Sequence, residues 1–172
     1  RDSTGDWSSD VCSSDLNKAL VLEGSKALGC DYFLQRRELG VINIGGAGTV
    51  TLDGEKHELG ARDGLYVGLG IKEISFTSVD AKNPAKFYMN SATAHKNYPT
   101  VEISLEKANK VQAGSDEECN KRVINQYVHP AVCKSCQLVM GMTILSSGSV
   151  WNTMPCHTHD RRMEVRSEEH TS

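Results

Sequence analysis

Two histidines and one glutamate near the end of the chain have the spacing of a metal site. His157, His159 and Glu164 form the pattern H-x-H-x4-E. Side chains two positions apart in an extended strand share a face, so both imidazoles can reach one ion at roughly 2.0–2.1 Å. Glu164 is an odd number of positions from each histidine, so we expect a turn at residues 160–162 to bring its carboxylate back. The sequence therefore predicts one divalent metal bound by these three side chains.

The elements that must hold this site are short strands separated by turns. Asp53-Gly54 is typical of a two-residue hairpin turn, and a short helix is expected at 105–110. Regularly spaced short strands favour a sandwich or barrel, so we expect an all-β fold. Runs rich in β-branched and aromatic residues predict strands at 41–44, 48–52, 65–67, 71–76, 85–89, 123–128 and 137–145.

Both ends of the chain differ in character from the rest. Residues 6–16 and 166–172 read like translations of opposite strands of one sequencing-adapter oligonucleotide. We therefore expect residues 1–16 and 166–172 to be artefactual adapter-like tails, which are left out of fold reasoning. The alternative is a pair of ordinary polar, disordered tails.

Composition restricts the classes of partner. The 172 residues carry a net charge of −3 without a basic stripe, which argues against nucleic acid and favours a small molecule. No run approaches the roughly 20 apolar residues of a membrane span, and no leader-like segment is recognisable, so we expect no membrane association and a cytoplasmic location.

The cysteines favour the same compartment. Of the six, discounting Cys12 leaves five, an odd number without framework spacing, as expected for reduced thiols. The C-x-x-C pair Cys133 and Cys136 could have a redox or zinc role, but the pattern favours two small buried side chains before a strand.

The two halves of the chain share a spacing. Asp31-Tyr-Phe33 followed by Glu38 matches His157-Thr-His159 followed by Glu164, with an arginine pair in each intervening segment. Such a repeat predicts two similar barrels of which only the second has metal ligands.

These patterns resemble those of cupins, small β-barrels that hold a metal inside. H-x-H-x4-E is the cupin ligand pattern, and residues 38–54 and 68–70 resemble cupin motifs in the first half. The similarity covers residues 17–165 and departs after Val165, where an aromatic strand should continue. Three longer strings resemble the bicupin family of 5-keto-4-deoxyuronate isomerases, at residues 32–48, 84–88 and 151–159.

The resemblance implies a division of the chain into three parts. An N-terminal cupin-like barrel without metal ligands would occupy residues 17–93, and a connector would occupy residues 94–121. Residues 122–165 would begin a metal-binding C-terminal barrel that is truncated.

The resemblance also implies an activity. It is a zinc-dependent ketol-isomerisation, an intramolecular oxidoreduction, that converts 4-deoxy-L-threo-5-hexosulose uronate into 3-deoxy-D-glycero-2,5-hexodiulosonate during pectin breakdown, in homohexamers. One Zn2+ per subunit would be held by His157, His159 and Glu164, and the family's fourth ligand, a histidine, has no counterpart here. We therefore expect this chain by itself to be inactive.

Several roles stay open at this stage. Arg161 or Arg162 could pair bidentately with a substrate carboxylate, or could belong to a solvated turn or an oligomer salt bridge. The base that moves the proton is not identified by the sequence. His57, on a polar hairpin strand, is expected at the surface.

Two other classes of protein share the metal pattern. Two histidines and a carboxylate also form the facial triad of Fe(II) oxygenases. A non-enzymatic sugar-acid-binding bicupin is the other alternative. Iron with oxygen-dependent turnover would indicate the first, and ligand binding without isomerisation the second.

Overall fold

The computed structural model describes residues 11–12, 19–150, 158–160 and 163–167. In this part of the chain, one 3-10 helix, Phe33–Gln35, precedes the third of twelve strands. The strands are β1 (Val11–Cys12), β2 (Leu20–Val21), β3 (Arg37–Asn43), β4 (Gly48–Leu52), β5 (Glu55–Leu59), β6 (Gly64–Val67), β7 (Ile74–Ser78), β8 (Lys86–Thr93), β9 (Val101–Ile103), β10 (Asn109–Ala113), β11 (Arg122–Val128) and β12 (Met140–Leu145).

The described strands form three antiparallel sheets. A five-stranded sheet has the order β1-β8-β3-β6-β9, and a four-stranded sheet has the order β2-β7-β4-β5. The third sheet, β10-β11-β12, is built from the second half of the chain. This architecture confirms the predicted all-β, cupin-like fold class. The described residues contain no helix of the length and apolarity needed to cross a membrane.

The predicted hairpin turn joins β4 to β5. Leu52 pairs with Glu55, and the two residues between them, Asp53 and Gly54, have φ angles of 46° and 91°. Left-handed backbone at both central positions suits the twist of the flanking strands, and Asp-Gly adopts it at low cost. The sequence signal and the structure agree here.

The five-stranded sheet is buried on both faces. Successive residues of a strand point to opposite faces, so Leu39 and Val41 of β3 pack with the four-stranded sheet in one apolar cluster. Ile42 lies on the opposite face and packs with residues of the second half, such as Tyr127 and Met140. We call the face that carries Leu39 the inner face and the face that carries Ile42 the outer face.

A glycine on the outer face allows the second half to approach closely. A Cβ at Gly40 would lie 2.7 Å from Met140 Sδ and 3.0 Å from Leu138 Cδ2. Because Gly40 has no side chain, these two residues pack directly over β3.

The segment between the halves contains two strands rather than a helix. β9 pairs with β6 of the first sheet, and β10 pairs with β11 of the third. The helix expected at 105–110 is therefore wrong. A turn follows Ser104, whose carbonyl accepts hydrogen bonds from the amides of Lys107 and Ala108, and β10 begins at Asn109. Pairing with β11 outweighs the weak helical preference of this segment.

A buried asparagine closes one end of β3. Asn43 is inaccessible to solvent. Its Nδ2 donates to the carbonyls of Gly46 at 2.7 Å and Leu59 at 3.0 Å, and its Oδ1 accepts from the amides of Gly45 at 3.1 Å and Lys86 at 3.3 Å. The side chain thereby ties three loops to the strand end with its full set of hydrogen bonds.

Substitution of this asparagine tests the role of the network. We expect Asn43→Ala to lower the free energy of unfolding by roughly 2–4 kcal/mol, because several buried backbone groups lose their partners. Urea denaturation followed by circular dichroism measures it. The exposed Asn97 provides the control, since Asn97→Ala should change the value by less than about 0.5 kcal/mol. Equal effects of the two substitutions would contradict the assignment.

Candidate functional site

The third sheet leads the chain toward the predicted metal ligands. After β12, residues 146–150 form a turn in which Ser149 N donates to Ser146 O at 3.0 Å. The same turn is fixed to the segment before β11, since Ser146 N donates to Lys121 O at 3.0 Å and Val150 N to Cys119 O at 2.7 Å. The chain is therefore held in place at Val150, before the predicted ligands.

Two of the predicted ligands lie together. His159 Nε2 is 2.8 Å from Glu164 Oε2, with a bend at Asp160 between the two residues. The side chain of His159 is 22% exposed and that of Glu164 is 50% exposed. A partly shielded imidazole beside a carboxylate is a donor pair suited to zinc, so these two residues fit the predicted metal.

The remaining predicted site residues lie outside the described part of the chain. They are His157, Arg161 and Arg162. Within the described residues, no three histidine, cysteine or acidic side chains approach closely enough to hold a metal. The third ligand and the substrate-binding arginines stay predictions.

The segment that carries Glu164 lies against the first half. Tyr88 Oη donates to the carbonyl of Val165 at 3.5 Å and accepts from Asn90 Nδ2 at 3.2 Å. Asn90 pairs with Gly40 in the sheet, and both Tyr88 and Asn90 lie on its outer face. The outer face of the first half therefore borders the candidate site.

A buried carboxylate on the same face holds the segment before β12. Glu38 of β3 is fully buried. Its carboxylate accepts hydrogen bonds from Tyr66 Oη and from three consecutive backbone amides. The four distances are 2.7 Å from Tyr66, 2.8 Å from Cys136, 2.7 Å from Gln137 and 2.7 Å from Leu138. These four bonds match the roughly four acceptor positions of a carboxylate.

This carboxylate perturbs its neighbours. Burial, followed by the hydrogen bond to Glu38, raises the pKa of Tyr66 well above its usual value. Burial also raises the pKa of the Cys133 thiol, and the charge of Glu38 adds to that shift, although a backbone hydrogen bond at His129 opposes it. Tyr66 therefore remains a neutral hydrogen-bond donor to Glu38.

Sequence reasoning missed the role of Glu38. The internal repeat aligned it with Glu164, yet its side chain points to the outer face. The available signal was a charged residue at the start of the apolar run 39–42, because a charge in a buried strand needs partners. The partners are backbone amides about 100 positions away, and amides carry no sequence signature.

The expectation for His57 is wrong. This residue is only 8% exposed, and its Nδ1 lies 2.7 Å from Glu102 Oε1. In β5, His57 and Leu59 face inward while their neighbours face solvent. The alternation of β5 places the imidazole between the edges of two sheets, where Glu102 of β9 satisfies it.

A separate cavity of about 280 Å³ opens on the inner face of the first half. One carboxylate, that of Glu23, lies among its lining residues, which include neither histidine nor cysteine. This lining lacks the donors of a metal site. The cavity is bounded by Leu22, Glu23, Ser25, Leu28, Phe33, Leu39, Met89 and Ser91.

The two thiols near the third sheet should differ in reactivity. Cys133 is buried with a raised pKa, whereas Cys119 is exposed. A raised pKa lowers the thiolate fraction at a given pH, so iodoacetamide should modify Cys133 at least about fivefold more slowly than Cys119 at pH 8, with its onset moved to higher pH. Peptide mass spectrometry over time measures both rates. Both sites should react alike in urea, and equal native rates would contradict the burial of Cys133.

Comparisons with known proteins place the chain in a family. The model of the KduI/IolB family matches residues 16–172. The 4-deoxy-L-threo-5-hexosulose-uronate ketol-isomerase of Lachnoclostridium phytofermentans is 61% identical over 150 residues, which are 87% of this chain and 54% of that protein. The enzyme of the same name from Caldicellulosiruptor bescii is 57% identical over 148 residues, 86% of this chain and 54% of that protein.

A solved structure supports the fold. The crystal structure of an IolB-like protein from Salmonella typhimurium LT2 superposes with a TM-score of 0.57 at 14% identity, over 83% of this chain and 50% of that one. The chain spans about half the length of the curated relatives it matches. The family match and the shared fold together show that this chain belongs to the KduI/IolB family.

Proposed function

We propose that this chain is the metal-binding part of a ketol-isomerase that acts on 4-deoxy-L-threo-5-hexosulose uronate and yields 3-deoxy-D-glycero-2,5-hexodiulosonate. The observation that carries the proposal is the 61% sequence identity, over 150 residues, to the Lachnoclostridium phytofermentans enzyme of that name. The pairing of His159 with Glu164 adds independent support, since it brings two metal-type donors together.

In this proposal His157, His159 and Glu164 hold one Zn2+ per subunit. When bound, zinc supplies a Lewis acid that polarises the carbonyl of the substrate. His159 Nε2 and Glu164 Oε2 lie 2.8 Å apart, so both atoms could bind the same ion. A histidine beyond the H-x-H-x4-E motif, supplied by the rest of the enzyme, completes the ligand set.

Arg161 and Arg162 are proposed to bind the carboxylate of the substrate. They lie between the ligands His159 and Glu164 in the sequence. A guanidinium matches a carboxylate with two parallel hydrogen bonds, which would hold the uronate in one orientation.

The proposal also covers the pathway, the oligomeric state and the compartment of the enzyme. We propose that it acts in pectin breakdown, as a homohexamer in the cytoplasm. The free thiols of Cys30, Cys119, Cys133 and Cys136 suit a reducing compartment.

We also propose the division into a first barrel at 17–93, a connector at 94–121 and the start of a second barrel at 122–165. One apolar cluster consists only of residues between Leu22 and Met89, which supports a first barrel with its own core.

A chimera tests the activity. Residues 17–165 of this chain would replace the matching segment of the Lachnoclostridium phytofermentans enzyme, which supplies the part that lies outside the match. We expect the chimera to isomerise the keto-uronate, and His157→Ala in it to lower both bound zinc and turnover by about 100-fold, because a ligand is lost. Elemental analysis and a coupled assay for the product measure the two quantities.

The matched control replaces a histidine outside the motif. His95 is exposed, and His95→Ala in the chimera should leave zinc content and turnover unchanged. A chimera whose His157→Ala variant keeps both zinc and turnover would refute the metal role. Oxygen-dependent turnover with iron would favour an oxygenase instead.

A further inference from the structure

The segment that contains the candidate ligands is tied to the first half at both ends. Before it, residues 136–138 are hydrogen-bonded to Glu38. After it, the carbonyl of Val165 accepts from Tyr88. Glu38 lies on β3 and Tyr88 on the neighbouring β8, and both point to the outer face of the same sheet. One face of one sheet therefore contacts the chain both before and after the candidate ligands.

The tie at Glu38 is the stronger of the two. Its four hydrogen bonds are 2.7–2.8 Å long and have an ionised acceptor, and bonds of that kind are about twice as strong as neutral ones. The contact of Tyr88 with Val165 is a single exposed bond at 3.5 Å. Glu38 is also fully buried, so water cannot replace any donor that moves away.

Packing beside Glu38 fixes the same segment a second time. Leu138 and Met140 lie over Gly40, two positions further along β3. Met140 is the first residue of β12, and its register on β11 is set by pairing with Val128. The backbone of β12 therefore has a defined start relative to β3, and this strand leads directly to the turn before the ligands.

We propose that Glu38 is a positioning residue for the candidate metal site. Its carboxylate, by holding the amides of Cys136, Gln137 and Leu138, sets the path of β12 and hence the placement of His159 and Glu164. This inference rests on the proposed function, because it requires a metal to bind there. In this proposal the first half of the chain positions the metal site that the second half carries.

Binding of Co2+ to the chimera that carries residues 17–165 tests this role, because the chimera contains the full ligand set. Co2+ reports through its visible absorption on the number and arrangement of its ligands. Glu38→Gln keeps the shape of the side chain but turns an NH2 group toward donors that need an acceptor. We expect about tenfold weaker Co2+ binding and an altered absorption spectrum, with the far-ultraviolet circular dichroism of the sheets retained.

Two further variants define the comparison. Tyr66→Phe removes one of the four donors while keeping the ring, so it should weaken Co2+ binding by about threefold. Glu55→Gln removes the same charge from an exposed position of β5 and should leave affinity and spectrum unchanged. A graded loss, with Glu38→Gln the largest and Glu55→Gln silent, supports the proposal.

The outcomes separate the two proposals. If Glu38→Gln binds Co2+ with the same affinity and the same spectrum as the unsubstituted protein, the positioning role is overturned and the metal site remains. If Glu38→Gln does not fold, Tyr66→Phe decides, and unchanged binding in that variant overturns the role equally. A chimera without further substitution that binds no Co2+ refutes the metal site itself, and the positioning role with it.

Discussion

The carboxylate of Glu38 is the constraint on which the arrangement of the two halves depends. It is a charge without access to solvent, and removal of an ion from water costs several kcal/mol unless its acceptor positions are filled. Here Tyr66 and three successive amides fill them. Any arrangement that moves residues 136–138 away from β3 leaves a buried, incompletely bonded charge, so the halves must meet in one register.

That register gives the five-stranded sheet its two cores. Leu39 and Val41 pack inward against the four-stranded sheet, while Glu38, Gly40 and Ile42 face the second half. A strand buried on both faces has no solvent-facing residues, which explains why β3 lacks the alternation of β4 and β5. The outer face then serves both as part of a core and as the support of the candidate site.

Strands and turns that depend on neighbouring residues could be predicted from the sequence. The bounds of β4 at 48–52 and the Asp53-Gly54 turn were predictable, because β-branched alternation and left-handed turn residues act within a few positions. The same reasoning predicted an all-β fold. It failed at 105–110, where β10 begins at Asn109 and is stabilised by pairing with β11, a strand outside that segment.

The contacts of the candidate site were likewise predictable only in part. The spacing of His159 and Glu164 led to the expectation that they meet, and they lie 2.8 Å apart. The partners of Glu38 were not predictable, because hydrogen bonds to backbone amides leave no residue pattern. His57 was misjudged for a related reason, since its partner Glu102 comes from a strand distant in sequence.

The most direct test of this account is the exchange of three amide protons. Cys136, Gln137 and Leu138 lie outside any strand, so their amides would exchange rapidly if Glu38 did not hold them. Hydrogen exchange followed by nuclear magnetic resonance should find all three protected to the level of β3 and β8. Exchange as fast as that of the open turn at Gly148 would contradict the claim that Glu38 joins the two halves.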